Sequence, residues 1–172
     1  MTEYLEKRWT MYKAGILTAS DKGYNGERQD ESGKVIEEIL LKSGFDVTVK
    51  VIVPDEKEQI KEALYNMINN KVNLILTTGG TGFSKRDVTP EATEEIIERK
   101  TPGISEAIRY NSLNITKRAM LSRATSGIKD DSLIINMPGS PKAVRESLEF
   151  VIDTLHHGLD ILLGKSSECA RK

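Results

Sequence analysis

The stretch Val72-Asn73-Leu74-Ile75-Leu76-Thr77-Thr78-Gly79-Gly80-Thr81-Gly82 decides how the chain folds. From Val72 to Thr78 it is a short, nearly continuous apolar run, which predicts a strand buried on both faces, as in a parallel sheet covered by helices. The glycines directly after it let the backbone approach a ligand closely with its amides turned inward. A tight turn that needs glycine only for its dihedrals reads the same way in isolation.

Working outward, Ile60, Ala63, Leu64, Met67 and Ile68 recur at helical spacing ahead of this strand. Before them, Phe45 to Val53 predicts a strand that Pro54 ends directly ahead of Asp55. Val35, Ile36, Ile39 and Leu40 predict an earlier helix, with Asp30 or Ser32 as cap and Gly44 as stop. Met11 to Thr18 predicts the first strand. It runs into a polar loop, Ala19 to Ser32, that is long for a strand-to-helix connection and of the kind that serves a site. The order β-α-β-α-β predicts one α/β domain in three layers, a mostly parallel sheet with helices on both faces. Ligands in such sheets gather at the carboxyl ends of strands, where Ser20, Asp55 and Thr78 to Gly82 emerge.

On the C-terminal side, Thr89 is expected to cap a helix with Pro90 as its first residue, running to about Glu98. Thr101-Pro102-Gly103 resets the chain before a helix over Ile104 to Leu113. Ala119 to Gly127 is ambiguous, and Leu133 to Asn136 predicts the last strand. Ser140 caps, and Pro141 starts, a helix that continues to near Leu163 with Gly164 as its stop. The polar segment 1–10 reads as a loose leader, in which Trp9 is either a packing or a surface residue. The domain is expected over residues 11–164, with 165–172 a tail.

Lys and Arg number 25 against 26 Asp and Glu, so no net field draws the molecule to nucleic acid or to a membrane. The run Ala14 to Leu17 is too short for a signal peptide or a span. Cys169 is the only cysteine, which excludes an intrachain disulfide and a thiolate metal cluster and suits a reducing cytoplasm. His156 and His157 fall on the last helix without a partner at metal spacing, so a solvated helix face is expected. No Ser-His-Asp arrangement follows from two adjacent histidines.

The glycine turn is not a P-loop, because no Gly-Lys-Ser/Thr closes it. Neither is it G-x-G-x-x-G, because Lys85 stands at the last required glycine. Lys85 and Arg86 are placed to face an anion, as is the helix start at Thr89-Pro90. An acid beside such a cradle repels the ligand unless a cation intervenes. Asp55 and Asp87, expected at adjacent strand ends, fit a Mg²⁺ site, since Mg²⁺ takes one or two carboxylates plus phosphate oxygens and water. A Pro-Asp turn for Asp55, and for Asp87 a helix cap or an Arg86 pair, are the structural alternatives.

Several blocks in one order resemble the MogA/MoaB family of molybdenum-cofactor biosynthesis proteins, including the G domain of plant and animal cofactor-assembly proteins. They are Ile16-Leu17-Thr18-Ala19-Ser20-Asp21, Val53-Pro54-Asp55-Glu56, Thr77 to Gly82, Arg86-Asp87-Val88-Thr89-Pro90-Glu91-Ala92, Met120-Leu121-Ser122-Arg123 and Asn136-Met137-Pro138-Gly139-Ser140-Pro141. The resemblance implies molybdopterin adenylyltransfer: the terminal phosphate of the pterin attacks the α-phosphate of ATP, with Mg²⁺ required and pyrophosphate released. It also implies functional roles for Asp55, Asp87 and Ser122, with both aspartates assigned to the metal. Ser20, Thr78, Gly79, Gly80, Thr81 and Gly82, together with Pro138, Gly139 and Ser140, then bind nucleotide and pterin. Family members are trimers, sometimes hexamers, and a transient contact with the molybdate-insertion protein is implied as well. The alternative is a non-catalytic molybdopterin-binding or delivery protein of the MoaB type.

Overall fold

The computed structural model describes residues 11–165. The leader with Trp9 and the tail with Cys169 lie outside the described residues.

Strand β1 (Lys13–Ala19) leads through a one-turn helix α1 (Asp21–Tyr24) to α2 (Glu31–Lys42). Then follow β2 (Asp46–Val53), α3 (Lys57–Asn69) and β3 (Leu74–Thr78). After a long loop come α4 (Thr89–Glu94), a short β4 (Arg99–Lys100) and α5 (Pro102–Leu113). A 3₁₀ turn (Lys117–Leu121), β5 (Ser126–Lys129), β6 (Ser132–Met137) and the long α6 (Pro141–Leu162) complete the chain.

The sheet order is β2-β1-β3-β6-β5-β4. The four strands from β2 to β6 run parallel, and β5 and β4 extend the sheet antiparallel. Alternation along each strand divides the interior into two cores. Ala14, Ile16, Leu74, Leu76, Leu133 and Ile135 face α2, α5 and α6. Leu17, Ala19, Ile75 and Ile134 face α3 and α4. The three-layer α/β architecture expected from the sequence is the one observed.

The caps follow local chemistry. Asp30 starts α2 by accepting from the Gly33 N–H at 2.9 Å, and Ser140 starts α6 by accepting from Ala143 N–H at 3.2 Å. Gly44 and Gly164, at φ of 81° and 67°, follow the ends of α2 and α6 as predicted.

Three expectations need correction, and one ambiguous stretch resolves. Val88 occupies the cap position of α4 without a side-chain bond, Thr89 lies inside the helix, and the helix ends at Glu94 rather than near Glu98. It ends early because Glu98 N–H donates to Ile128 O and Arg99 pairs with Ile128, so a hairpin partner claims the backbone. The ambiguous stretch resolves into the 3₁₀ turn and β5, whose polar, glycine-containing sequence gives no apolar alternation to read. His156 is 4% exposed, with Nε2 2.6 Å from Ser43 O and its ring stacked on Phe45 at 4.2 Å. It lies one helical repeat beyond Ile152, on the stripe that also carries Leu148 and Leu159, so the helix period buries it; His157 is exposed as expected.

Candidate functional site

A cleft of about 540 Å³ opens at the carboxyl ends of the central strands. The chain leaves β1 for β2 on one side and crosses back to β3 on the other, so the strand order reverses between β1 and β3, where open α/β sheets hold their ligands. Thr18 to Ser20 and the start of α2 form one wall, while Thr78 to Gly80 and Gly139 to Pro141 form the other. Asp55 and Asp87 both line the space between them.

The glycine turn has the shape its composition requires. Gly79 and Gly80 sit at φ of 90° and 66°, a region that L side chains rarely adopt. A Cβ on Gly79 would run into the Ala19 carbonyl oxygen, and one on Gly80 into Thr89 Oγ1. The same turn passes beneath both acids. Asp55 Oδ1 lies 3.4 Å from the place a Gly80 Cβ would take, and Asp87 Oδ2 lies 2.9 Å from that of Gly82.

Asp55 is anchored by Asp21. Asp21 N–H donates to Asp55 Oδ2 at 2.9 Å, and Asp55 N–H donates to Asp21 Oδ1 at 3.0 Å, so the ends of β1 and β2 hold each other reciprocally. Arg86 grips Asp21 with two parallel bonds of 2.9 Å from Nε and Nη2, and reaches Glu56 from Nη1 at 2.7 Å. Asp87, the next residue, accepts from Ser84 N–H at 3.0 Å through Oδ2. The bidentate fork therefore fixes the loop after β3 to the ends of β1 and β2. Its pairing with Asp21 and Glu56 overturns the expectation that Arg86 faces an anion. Lys85 is exposed and does not line the cleft. Thr89 N–H donates to Gly80 O at 3.1 Å and Pro90 has no N–H, so the start of α4 offers little to an anion.

Burial pushes the Asp55 carboxyl above its ordinary range, and the charges of Asp21 and Asp87 add to the rise. The Asp21 N–H bond and the Arg86 charge offset part of it. Asp21 is held low by its bonds from Arg86, and Arg86 is raised in turn. Two carboxylates on one cleft, each with Oδ2 on a backbone amide, leave both Oδ1 atoms without a hydrogen-bond donor among the described residues.

Ser20, Thr78, Gly79, Gly80, Gly139 and Ser140 also line the cleft. Ser20 Oγ is engaged with Gly23 N–H, and Thr78 Oγ1 donates to Pro138 O at 2.6 Å. Gly139 is drawn in by Ser32, whose hydroxyl donates to its carbonyl at 2.8 Å. The structure does not bring Thr81, Gly82, Pro138 or Ser122 into the lining. Thr81 and Gly82 instead give their carbonyls to Arg123, to its N–H at 2.9 Å and its Nε at 2.7 Å. Ser122 precedes that arginine, and its Oγ accepts from Ala124 N–H at 3.3 Å.

Beneath the turn, Asn136 Nδ2 donates to Thr77 Oγ1 and Thr93 Oγ1, each at 2.9 Å, while its Oδ1 accepts from Thr125 N–H at 3.2 Å. All of these side chains except Thr125 are fully buried. This network holds the floor of the site.

Sequence reasoning missed Asp21 and Arg28 as site residues. Asp21 carried a signal, since it follows Ser20 at a strand end as Asp55 follows Pro54. Arg28 sits in a polar loop where nothing in the pattern marks which residues turn toward the sheet.

Comparison with known proteins points the same way. The family model described as probable molybdopterin binding domain matches residues 15–157. A molybdopterin adenylyltransferase of Helicobacter pylori is 41% identical over 162 residues, covering 92% of each chain. Gephyrin of Dictyostelium discoideum is 42% identical across 93% of this chain, which spans 23% of that longer protein. The crystal structure of the molybdopterin biosynthesis enzyme MoaB of Thermus thermophilus superposes with a TM-score of 0.86 at 46% identity, over 92% of this chain and all of that one.

Proposed function

The chain belongs to the molybdopterin-binding domain family, and from that premise we propose that it acts as a molybdopterin adenylyltransferase in molybdenum-cofactor biosynthesis. An oxygen of the pterin's terminal phosphate forms a bond to the α-phosphorus of ATP, the bond from that phosphorus to the β-phosphate bridge breaks, and pyrophosphate leaves. The observation that carries this reading is the presence of Asp55 and Asp87 on one cleft, with the Gly79-Gly80 turn running beneath them.

A phosphate monoester loses its second proton near pH ~6, so the nucleophile needs no protein base at neutral pH. The harder task is to bring two polyanions together and hold them in line. The residues present fit a divalent cation: the two carboxylates repel each other, and among the described residues neither has a donor to its Oδ1. Asp55 and Asp87 would hold Mg²⁺, which supplies charge neutralisation at the phosphates when bound. Asp21 and Arg86 keep those carboxylates in place. Thr78 to Gly80 and Gly139-Ser140 hold the substrates against the sheet ends, with Ser20 on the opposite wall. Thr81, Gly82 and Pro138 stand as proposed substrate contacts, and Ser122 as a proposed catalytic residue, that border the cleft without lining it: Arg123 joins Gly82 O to Asp87 O, and the Pro138 carbonyl accepts from Thr78 Oγ1.

We further place the protein in the cytoplasm, where ATP is supplied, as a homotrimer or hexamer with transient contact to a molybdate-insertion protein. Exposed apolar residues on α5, the 3₁₀ turn and the link between them, among them Tyr110, Ile115, Met120 and Leu121, support a self-association surface. Among the described residues no helix is long and apolar enough to cross a membrane. The decisive assay is pyrophosphate release dependent on both purified molybdopterin and Mg²⁺. Pterin binding without pyrophosphate would instead select a binding or delivery protein.

A further inference from the structure

The charges lining the cleft do not balance for a site that binds phosphates. Its carboxylates are Asp30, Glu31, Asp55 and Asp87, and its only cationic side chain among the described residues is Arg28. Every one of those carboxylates already has a partner. Asp30 accepts from Gly33 N–H and, at 2.8 Å, from Thr18 Oγ1, while Glu31 pairs with Lys34 at 3.0 Å. Asp55 and Asp87 accept from Asp21 and Ser84 amides. None of them holds Arg28, whose guanidinium makes no hydrogen bond or ion pair among the described residues. Arg86, the arginine that the sequence pointed to, is consumed by Asp21 and Glu56.

Arg28 lies between α1 and the Asp30 cap, on an exposed loop with Gly26 at φ 76° nearby. An uncommitted guanidinium on the rim of an acid-lined cleft suits one task, which is to meet a phosphate that the carboxylates would otherwise repel. Its planar fork matches two phosphate oxygens. We propose that Arg28 is a substrate-binding residue that closes on a phosphate group entering the cleft, a group carried either by the triphosphate of ATP or by the pterin. This rests on the adenylyltransferase reading for the identity of the ligand, but not for the role of the side chain.

The test compares the full chain with its Arg28→Ala and Arg28→Lys variants. Steady-state KM is measured separately for ATP and for molybdopterin, and the Kd for ATP is measured by calorimetry without turnover. Loss of a charge-assisted contact raises the affected constant about tenfold. The expected result is such a rise for Arg28→Ala, with kcat within about twofold, unchanged Tm, and partial recovery in Arg28→Lys. The constant that moves identifies which substrate carries the phosphate. The inference is overturned if neither KM nor the ATP Kd changes, or if kcat falls while all three stay constant. If the wild type makes no pyrophosphate, the functional reading fails, and calorimetry of the variants with ATP and with molybdopterin separately still decides the role of Arg28, an unchanged Kd for both overturning it.

Discussion

Asp21 and Asp55 each accept a hydrogen bond from the other's backbone N–H, at 2.9 and 3.0 Å, across the ends of two neighbouring parallel strands. The exchange makes the position of one carboxylate depend on the other. Removing the Asp21 side chain keeps the Asp21 N–H bond to Asp55 Oδ2 but leaves Asp55 N–H without its acceptor and frees Arg86, which loosens the strand end that carries Asp55 and the loop that carries Asp87. Asp21→Ala is expected to raise the Mg²⁺ concentration needed for half-maximal activity about 10- to 100-fold, the usual effect of losing a group that orients a metal ligand. Mg²⁺ titration of the initial rate reads it directly.

Asp55 and Asp87 carry the proposed chemistry, so Asp55→Asn and Asp87→Asn should each lower single-turnover adenylylation by ~10²-fold or more. Near-normal rates in either variant would remove the metal assignment.

The same Asp55 change should stabilise the fold. Its folded carboxyl is raised, so ionisation at neutral pH opposes folding, and an amide oxygen can still accept from Asp21 N–H. Thermal unfolding at pH 7–8 should show a higher Tm, by about 2–4 °C for each kcal/mol relieved. The gain should vanish at low pH, where the wild-type group is protonated in both the folded and unfolded chains.

Activity should fall on the acid side as Asp55 takes a proton, at a pH above the ordinary 3.8 of an aspartate. Because the cation and the proton compete for the carboxylate, raising Mg²⁺ should move that acid limb of kcat/KM to lower pH. A limb insensitive to Mg²⁺ would mean that a different group titrates.

Gly79→Ala should cost more than ~2 kcal/mol, since it adds a clash with the Ala19 carbonyl to an unfavourable φ. Gly26→Ala has a comparable φ but open space around it, and should cost only about 1 kcal/mol. Urea denaturation of the pair separates the steric from the conformational contribution.

The parallel half of the fold was legible because its central strands β1, β3 and β6 are buried on both faces, and the run Val72 to Thr78 announces that directly. Strands β4 and β5 were not, since Arg99, Lys100, Ser126 and Gly127 have no apolar period; only their pairing makes them strands. The position of Asp55 followed from the rule that ligands collect at strand ends, but that of Asp87 did not: it reaches the cleft from the loop ahead of α4, and β2 and β3, expected side by side, are separated by β1. The destination of Arg86 did not follow either, because sequence order says nothing about whether a cation turns to a ligand or to an acid on the next loop. His156 was misread as solvated because its polar character was weighed above its helical spacing from Ile152, which places it on the buried stripe.

The walls of the cleft come from segments far apart in the chain, from Thr18 in β1 to Pro141 at the head of α6. No partial assembly of strands contains them all, and Gly139 joins Ser32 only once β6 has docked beside β3. A nascent or half-refolded molecule thus has no capacity to capture the pterin, and occupancy becomes a sensor of complete folding. Substrates should accordingly oppose global unfolding rather than protect any one loop, so that the reaction is confined to finished molecules.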